Sequence, residues 1–210
     1  PGTVPGTIHE TVQIIREAGG EALAIRCNIA DEDNIESLVA TTKQTYGQVD
    51  VLVNNAGVSV ATPLINTETR HWDLLMRVNL RGAFLSCKYV LPHMIQRQSG
   101  SIINISSSAA IGGNEGRTAY AASKAAVIAS TKVMSKELAM YNIRVNAIAP
   151  GLTGTDMMHG STPKAALDYT LQRINMRRIG TPEEIANVAL FLSSELSTYM
   201  TGQVLRVDLG

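Results

Sequence analysis

The run "TAYAASKAAV" (residues 118–127) sets Tyr120 and Lys124 four places apart among alanine, serine and valine. Four residues are about one helical turn, so the two side chains share a face. A free phenol titrates near 10 and is a poor base at neutrality; bringing it to about 7 takes roughly 4 kcal/mol in favour of the phenolate. One ammonium about 4–5 Å away supplies on the order of 3 to 4 kcal/mol at an effective dielectric near 20, while burial opposes the charge. A second positive charge would complete the shift. The pair is therefore competent for general acid–base work on an alcohol or ketone oxygen. Tyr-x-x-x-Lys alone is a common surface pattern, so its context matters. Ser107 stands thirteen residues before Tyr120, at the end of a predicted strand, and the tyrosine opens the following helix. A hydroxyl at that point can hold a substrate oxygen beside the phenol.

Such convergence requires a particular frame. "ALAIRC", "VDVLVNNAG", "SIINIS", "IRVNAIAPG" and "QVLRVDLG" read as strands. Between them run helical patterns: "IHETVQIIREAGG" stopped by Gly19 and Gly20, "DEDNIESLVATTKQTYG" closing on Gly47, residues 70–98 with a kink or break expected at Pro92, and residues 119–140. "TPEEIANVALFL" starts with Thr181 as cap, Pro182 at the first helical position and Glu184 closing a capping box. Strands apolar on both faces and separated by helices predict a parallel sheet covered on both sides. The fold class is thus α/β, a doubly wound, Rossmann-like parallel sheet forming one domain over residues 1–210. Ligands gather at the carboxyl ends of such strands. Asn54-Asn55-Ala56-Gly57, Ser106-Ser107-Ser108 and Pro150-Gly151 through Thr155 fall there.

Composition narrows the partners. Formal net charge is zero, so nucleic acid and anionic membrane surfaces, which call for a basic surplus, are not expected partners. No apolar run reaches the roughly 18 residues of a membrane span. Cys27 and Cys87 sit in apolar segments without a disulfide framework, as suits a reducing, cytoplasmic setting. The four histidines are scattered without metal-ligand spacing, and no metal site is expected.

The stretches "CNIAD", "VDVLVNNAG", "VNLRGAF", "GSIINISS", "YAASK", "IRVNAIAPG" and "PEEIANVALFLSSELSTYMTGQVLRVD" follow one another in the order found in short-chain dehydrogenase/reductases. The chain resembles that family from about residue 20 onward, and in particular its 3-oxoacyl-carrier-protein reductases. The resemblance implies an oxidoreductase that transfers a hydride between NADP or NAD and a ketone or secondary alcohol. In it Tyr120 would exchange the substrate proton, and Lys124 would favour the phenolate and bind the nicotinamide ribose. Ser107 would hold the substrate oxygen, with Ser106 the nearer of its two rivals, and Asn79 would anchor a water relay to Lys124. Asn55, Ala56 and Gly57 would lie beside the adenosine ribose, and Asn28 and Ile29 would meet the adenine. Pro150, Gly151, Thr153 and Thr155 would frame the nicotinamide carboxamide.

Two departures stand out. Asn28 occupies a position where the family usually has aspartate, and its carbonyl can still meet an amino edge. The family also opens with a strand, a glycine-rich turn, a helix and a second strand, and nothing of that form precedes "PGTVPGTIHETV". Lack of a first β-α-β unit would expose apolar sheet edges and remove the residues that choose between NAD and NADP. The alternative to the enzyme is therefore a non-catalytic fragment or scaffold subunit unable to bind the pyrophosphate. Substrate choice is expected from residues 108–119, where Asn114, Glu115 and Arg117 could reach a polar group, and from residues 156–179. The latter offer Met157, Met158, Leu167 and Tyr169 as apolar lining beside Lys164, Arg173, Arg177 and Arg178, which would suit an acidic carrier of the substrate. The alanines of the Tyr120 helix predict close helix approach, and the resemblance implies a homodimer or homotetramer there.

Overall fold

The computed structural model describes residues 7–155, 157–158, 164–208 and 210; the side chains of residues 164–166 and 169 lie outside that description. Four strands pair in parallel in chain order: β1 (Val51–Asn54), β2 (Gly100–Ile105), β3 (Ile143–Pro150) and β4 (Val204–Val207). Six longer helices accompany them: α1 (Ile8–Glu17), α2 (Glu32–Tyr46), α3 (Thr69–Leu75), α4 (Gly82–Arg97), α6 (Thr118–Leu138) and α8 (Pro182–Ser193). The four-residue α5 (Ala109–Gly112) and the ten-residue α7 (Lys164–Arg173) fall between these.

Neighbouring residues of one strand point to opposite faces, and β2 uses both. Ile102 joins a core with Val39, Cys87, Val90, Met94, Leu138, Ile143 and Val145. Its neighbour Ile103 packs with Ile148 and Leu192 on the other side. The sheet is therefore covered on both faces, the doubly wound arrangement expected of its apolar strands. Register aligns the strand ends: Asn54 lies opposite Asn104, and Asn104 opposite Ala147. An Asn54–Asn104–Thr131 ladder of 2.8 and 2.9 Å hydrogen bonds ties β1 through β2 to α6.

The expected helix signals hold. Thr181 and Glu184 form a reciprocal capping box, Asp31 caps α2, and Gly47 ends it at φ 81°. Two expectations do not hold as stated. "ALAIRC" forms no strand, because a strand exists only through a ladder partner and this segment has none among the described residues. Instead Cys27 and Ile29 face Leu52 and Val53 across a cleft of about 250 Å³. Pro92 does not break its helix, which continues to Arg97. The irregularity falls earlier, at Met76–Arg81, where the chain is π-helical. Among the described residues β1 is an edge strand, and Val51 is 37% and Val53 45% exposed, the open apolar edge expected above.

Candidate active site

The π-helical turn explains the setting of Asn79. Such a bulge adds a residue to the turn and re-aims side chains. Asn79 is 2% exposed. Its Oδ1 accepts from Val58 N–H at 2.8 Å, and its Nδ2 donates to Val58 C=O at 3.0 Å and to Ser123 Oγ at 3.0 Å. Ser123 donates onward to the Tyr120 carbonyl at 2.7 Å. A chain of hydrogen bonds thus runs from the loop after β1, through Asn79, to the turn of α6 that carries Tyr120. Both Nδ2 protons of Asn79 are thus engaged, while Oδ1 keeps a second lone pair.

Lys124 follows one turn after Tyr120 and is 4% exposed. Its Nζ donates to the Ile105 carbonyl at the end of β2, 2.7 Å away. Burial lowers its pKa from 10.5 to about 8, since low dielectric disfavours the ammonium. Gly57 closes over this group: a Cβ there would stand 3.3 Å from both Asn79 Oδ1 and Lys124 Nζ. The glycine is thus needed for close approach.

The serines after β2 divide by direction. Ser106 is buried, and its hydroxyl donates to the Lys124 carbonyl at 2.8 Å. Ser107 is half-buried, and among the described residues its Oγ accepts only the Ala109 N–H at 3.2 Å. A hydroxyl proton therefore remains available on Ser107 and not on Ser106. Ser108 N–H is bonded to the Pro150 carbonyl at 2.8 Å, joining the ends of β2 and β3.

The segment after β3 is pinned from two sides. A Cβ on Gly151 would meet Asp208 Cβ at 2.5 Å and Cα at 2.6 Å, so only glycine fits there. Leu152 C=O and Gly154 N–H bond to the N–H and C=O of Gly180 at 3.0 and 2.9 Å, an anchor the sequence did not signal. Thr153 Oγ1 donates to Gly151 C=O, while Thr155 is exposed. Asp156 and residues 159–163 lie outside the described residues, as do the side chains of Lys164 and Tyr169. Arg178, expected among the basic residues suited to an acidic carrier, is held by both carboxylate oxygens of Glu184 at 2.6 and 2.8 Å.

On the far side, Ile29, Asn55 and Ala56 line one cleft, while Asn28 is exposed at its rim with Oδ1 accepting from Ala30 N–H at 3.1 Å. Gly82 lets this segment approach: its Cβ would meet Ile29 Cγ1 at 2.8 Å. Glu32 fastens the same region, bonding Arg81 at 2.5 Å and Tyr89 at 3.1 Å.

A family model described as enoyl-(acyl carrier protein) reductase matches residues 4–210. The chain belongs to the short-chain dehydrogenase/reductase family. Among curated short-chain dehydrogenase/reductases it is 48% identical to the 3-oxoacyl-(acyl-carrier-protein) reductase FabG of Thermotoga maritima, over 87% of this chain and 74% of that one. It is 39% identical to 2-(R)-hydroxypropyl-CoM dehydrogenase of Xanthobacter autotrophicus, over 96% of this chain and 83% of that one. The crystal structure of a proposed gluconate dehydrogenase from Agrobacterium tumefaciens superposes with a TM-score of 0.93 at 34% identity, covering all of this chain and 83% of its own. Like its relatives, this short-chain dehydrogenase/reductase is a nicotinamide-dependent oxidoreductase. Two features would suit such a cofactor: an apolar cleft lined by Ile29, Asn55 and Ala56, and the buried ammonium of Lys124. Among the described residues no glycine-rich turn at a helix N-terminus offers the pyrophosphate its usual cradle.

Proposed function

We propose that this chain reduces a ketone, or oxidises the matching secondary alcohol, using NADPH or NADH, with Tyr120 as the residue that exchanges the substrate proton. The observation that supports this best is the hydrogen-bonded frame around it. Lys124 sits buried on the Ile105 carbonyl, and Asn79 and Ser123 fix the Tyr120 turn. The nicotinamide supplies or accepts the hydride when bound. Tyr120 gives its phenolic proton to the carbonyl oxygen, and Ser107, whose hydroxyl proton is uncommitted, holds that oxygen. Lys124 stabilises the phenolate and, through its remaining protons, binds the ribose hydroxyls. Asn79 anchors the water relay to Lys124. Asn28, Ile29, Asn55, Ala56 and Gly57 receive the adenosine side; Pro150, Gly151, Thr153 and Thr155 frame the carboxamide. Residues 1–210 act as one cofactor-binding domain.

The substrate is a small ketone or alcohol, free or carried on a thioester. The second partner is another copy of this chain. A groove of about 620 Å³ between α4 and α6, lined by Phe84, Leu91, Val133 and Met134, leaves Phe84 57% and Val133 54% exposed. Apolar surface of this kind marks an interface, and pairing of the groove with its twin yields a homodimer that can build a homotetramer. Sedimentation should find the dimer, and Phe84→Glu should shift it to monomer.

The decisive experiment is titration with NADPH and with NADH followed by nicotinamide fluorescence, then ketone reduction by wild type and Tyr120→Phe. Binding of one cofactor and loss of turnover in the variant, on the order of 100- to 10,000-fold, are expected. Turnover untouched by the substitution would sink the role of Tyr120. No binding of either cofactor by folded protein would leave the scaffold subunit as the reading.

A further inference from the structure

Arg117 is the N-cap residue of α6, three places before Tyr120. Its guanidinium lies 5.9 Å from the centre of the Tyr120 ring. Nη1 donates to Ser59 Oγ at 2.7 Å, and the residue is half-buried. The placement is built from two loops locked together. Thr62 N–H donates to Gly116 C=O at 2.7 Å, and Gly116 takes a left-handed φ of 71° against Thr62 and Pro63. That turn is what delivers Arg117 to Ser59 and to the phenol.

Like Arg16 and Arg144, Arg117 bonds only neutral oxygens among the described residues, and it differs from both in lying over the Tyr120 ring. Arg70, Arg81, Arg97, Arg178 and Arg206 each pair with a carboxylate. Arg117 has no carboxylate within ion-pair distance among the described residues, and its hydrogen-bond partner is a neutral hydroxyl. Of its five N–H donors, one is engaged. A half-buried cation left with a neutral partner, in a planar fork suited to a carboxylate, is an anion receptor waiting for its ligand.

We propose that Arg117 binds a carboxylate on the substrate itself, within a few bonds of the carbonyl that Tyr120 protonates, so that the preferred substrate is a small free oxo acid or its hydroxy acid. This rests on the proposed role of Tyr120. It sets a short charged molecule above a carrier-borne thioester, which has no anion so near its reacting carbonyl.

The test compares kcat/KM for acetoacetate, methyl acetoacetate and the N-acetylcysteamine thioester of acetoacetate in wild type, Arg117→Gln and Arg117→Lys. Wild type should favour acetoacetate over the ester. In Arg117→Gln that ratio should fall about 10- to 100-fold, the worth of a charge-assisted hydrogen bond, and Arg117→Lys should restore part of it. An unchanged ratio, an equal loss on both substrates, or a wild-type preference for the thioester would overturn the proposal while leaving the reductase intact. Should wild type reduce none of the three, calorimetric titration of acetoacetate decides the anion site alone. Binding that disappears in Arg117→Gln with circular dichroism unchanged would sustain the site; equal binding, or none, would remove it.

Discussion

Lys124→Met exchanges a buried ammonium for an apolar chain of similar length, and the consequences can be worked from the environment. Folding lowers the lysine pKa from 10.5 to about 8. Between those values the unfolded chain holds a proton that the folded chain has released, so stability rises with pH. Below pH 8 the full cost applies: 2.5 pH units, at about 1.36 kcal/mol per unit, come to about 3 kcal/mol. At pH 10 most of it is gone, leaving under about 1 kcal/mol. Wild type should therefore gain about 2 to 3 kcal/mol between pH 7 and pH 10 relative to Lys124→Met, because the variant has no such proton and every other titrating group cancels in the difference. At pH 7 the variant should be the more stable of the two. The margin is reduced by the lost hydrogen bond to the Ile105 carbonyl, worth about 1.5 to 3 kcal/mol for a charged donor. Urea unfolding of both proteins at pH 7, 8, 9 and 10 measures the difference directly, and turnover should be lost in the variant throughout. Parallel stability curves across that range would refute the claim that burial depresses Lys124, and with it the account of how this lysine serves the phenol.

Gly57→Ala places a methyl 3.3 Å from both Asn79 Oδ1 and Lys124 Nζ; kcat/KM should fall about tenfold or more with a stability loss near 1 kcal/mol, read by kinetics and by urea unfolding. Ser123→Ala removes the link between Asn79 and the Tyr120 carbonyl and should destabilise the chain by about 1 to 3 kcal/mol. It should also lower kcat more than it raises KM, and an unchanged kcat would show that the link is structural only. Gly151→Ala would drive a methyl to 2.6 Å from Asp208 Cα, a contact with backbone that cannot relax. Thermal unfolding should show a loss of about 1 to 3 kcal/mol or more.

The helix boundaries were legible because their causes are local. A capping box at Thr181, an aspartate at Asp31 and a glycine at Gly47 each act within a few residues. The fold class followed for a similar reason, since apolar runs at Ile102–Ile103 and Ala147–Ala149 need cover on both faces wherever they pair. "ALAIRC" misled because strand formation is a property of two segments, and its composition says nothing about whether a neighbour is in reach. The π-helical turn at Met76–Arg81 was equally hidden: it arises where Asn79 is drawn onto the Val58 backbone, a partner 21 residues away in sequence.

For the site, sequence alone determined the residue types and the spacing that put Tyr120 and Lys124 on one helical face, because a helical turn has fixed geometry. It also put Ser107 just past the end of a strand, thirteen residues before Tyr120. Tertiary structure decided everything that depends on direction and on distant partners. It turned Ser106 inward onto the Lys124 carbonyl and left the Ser107 hydroxyl uncommitted. It joined Asn79 to Ser123, 44 residues away, and paired Arg178 with Glu184. It set Arg117 between Ser59 and the Tyr120 ring with no carboxylate partner among the described residues. Periodicity places side chains on faces, but only packing fixes which hydrogen bonds and charges are left for a ligand.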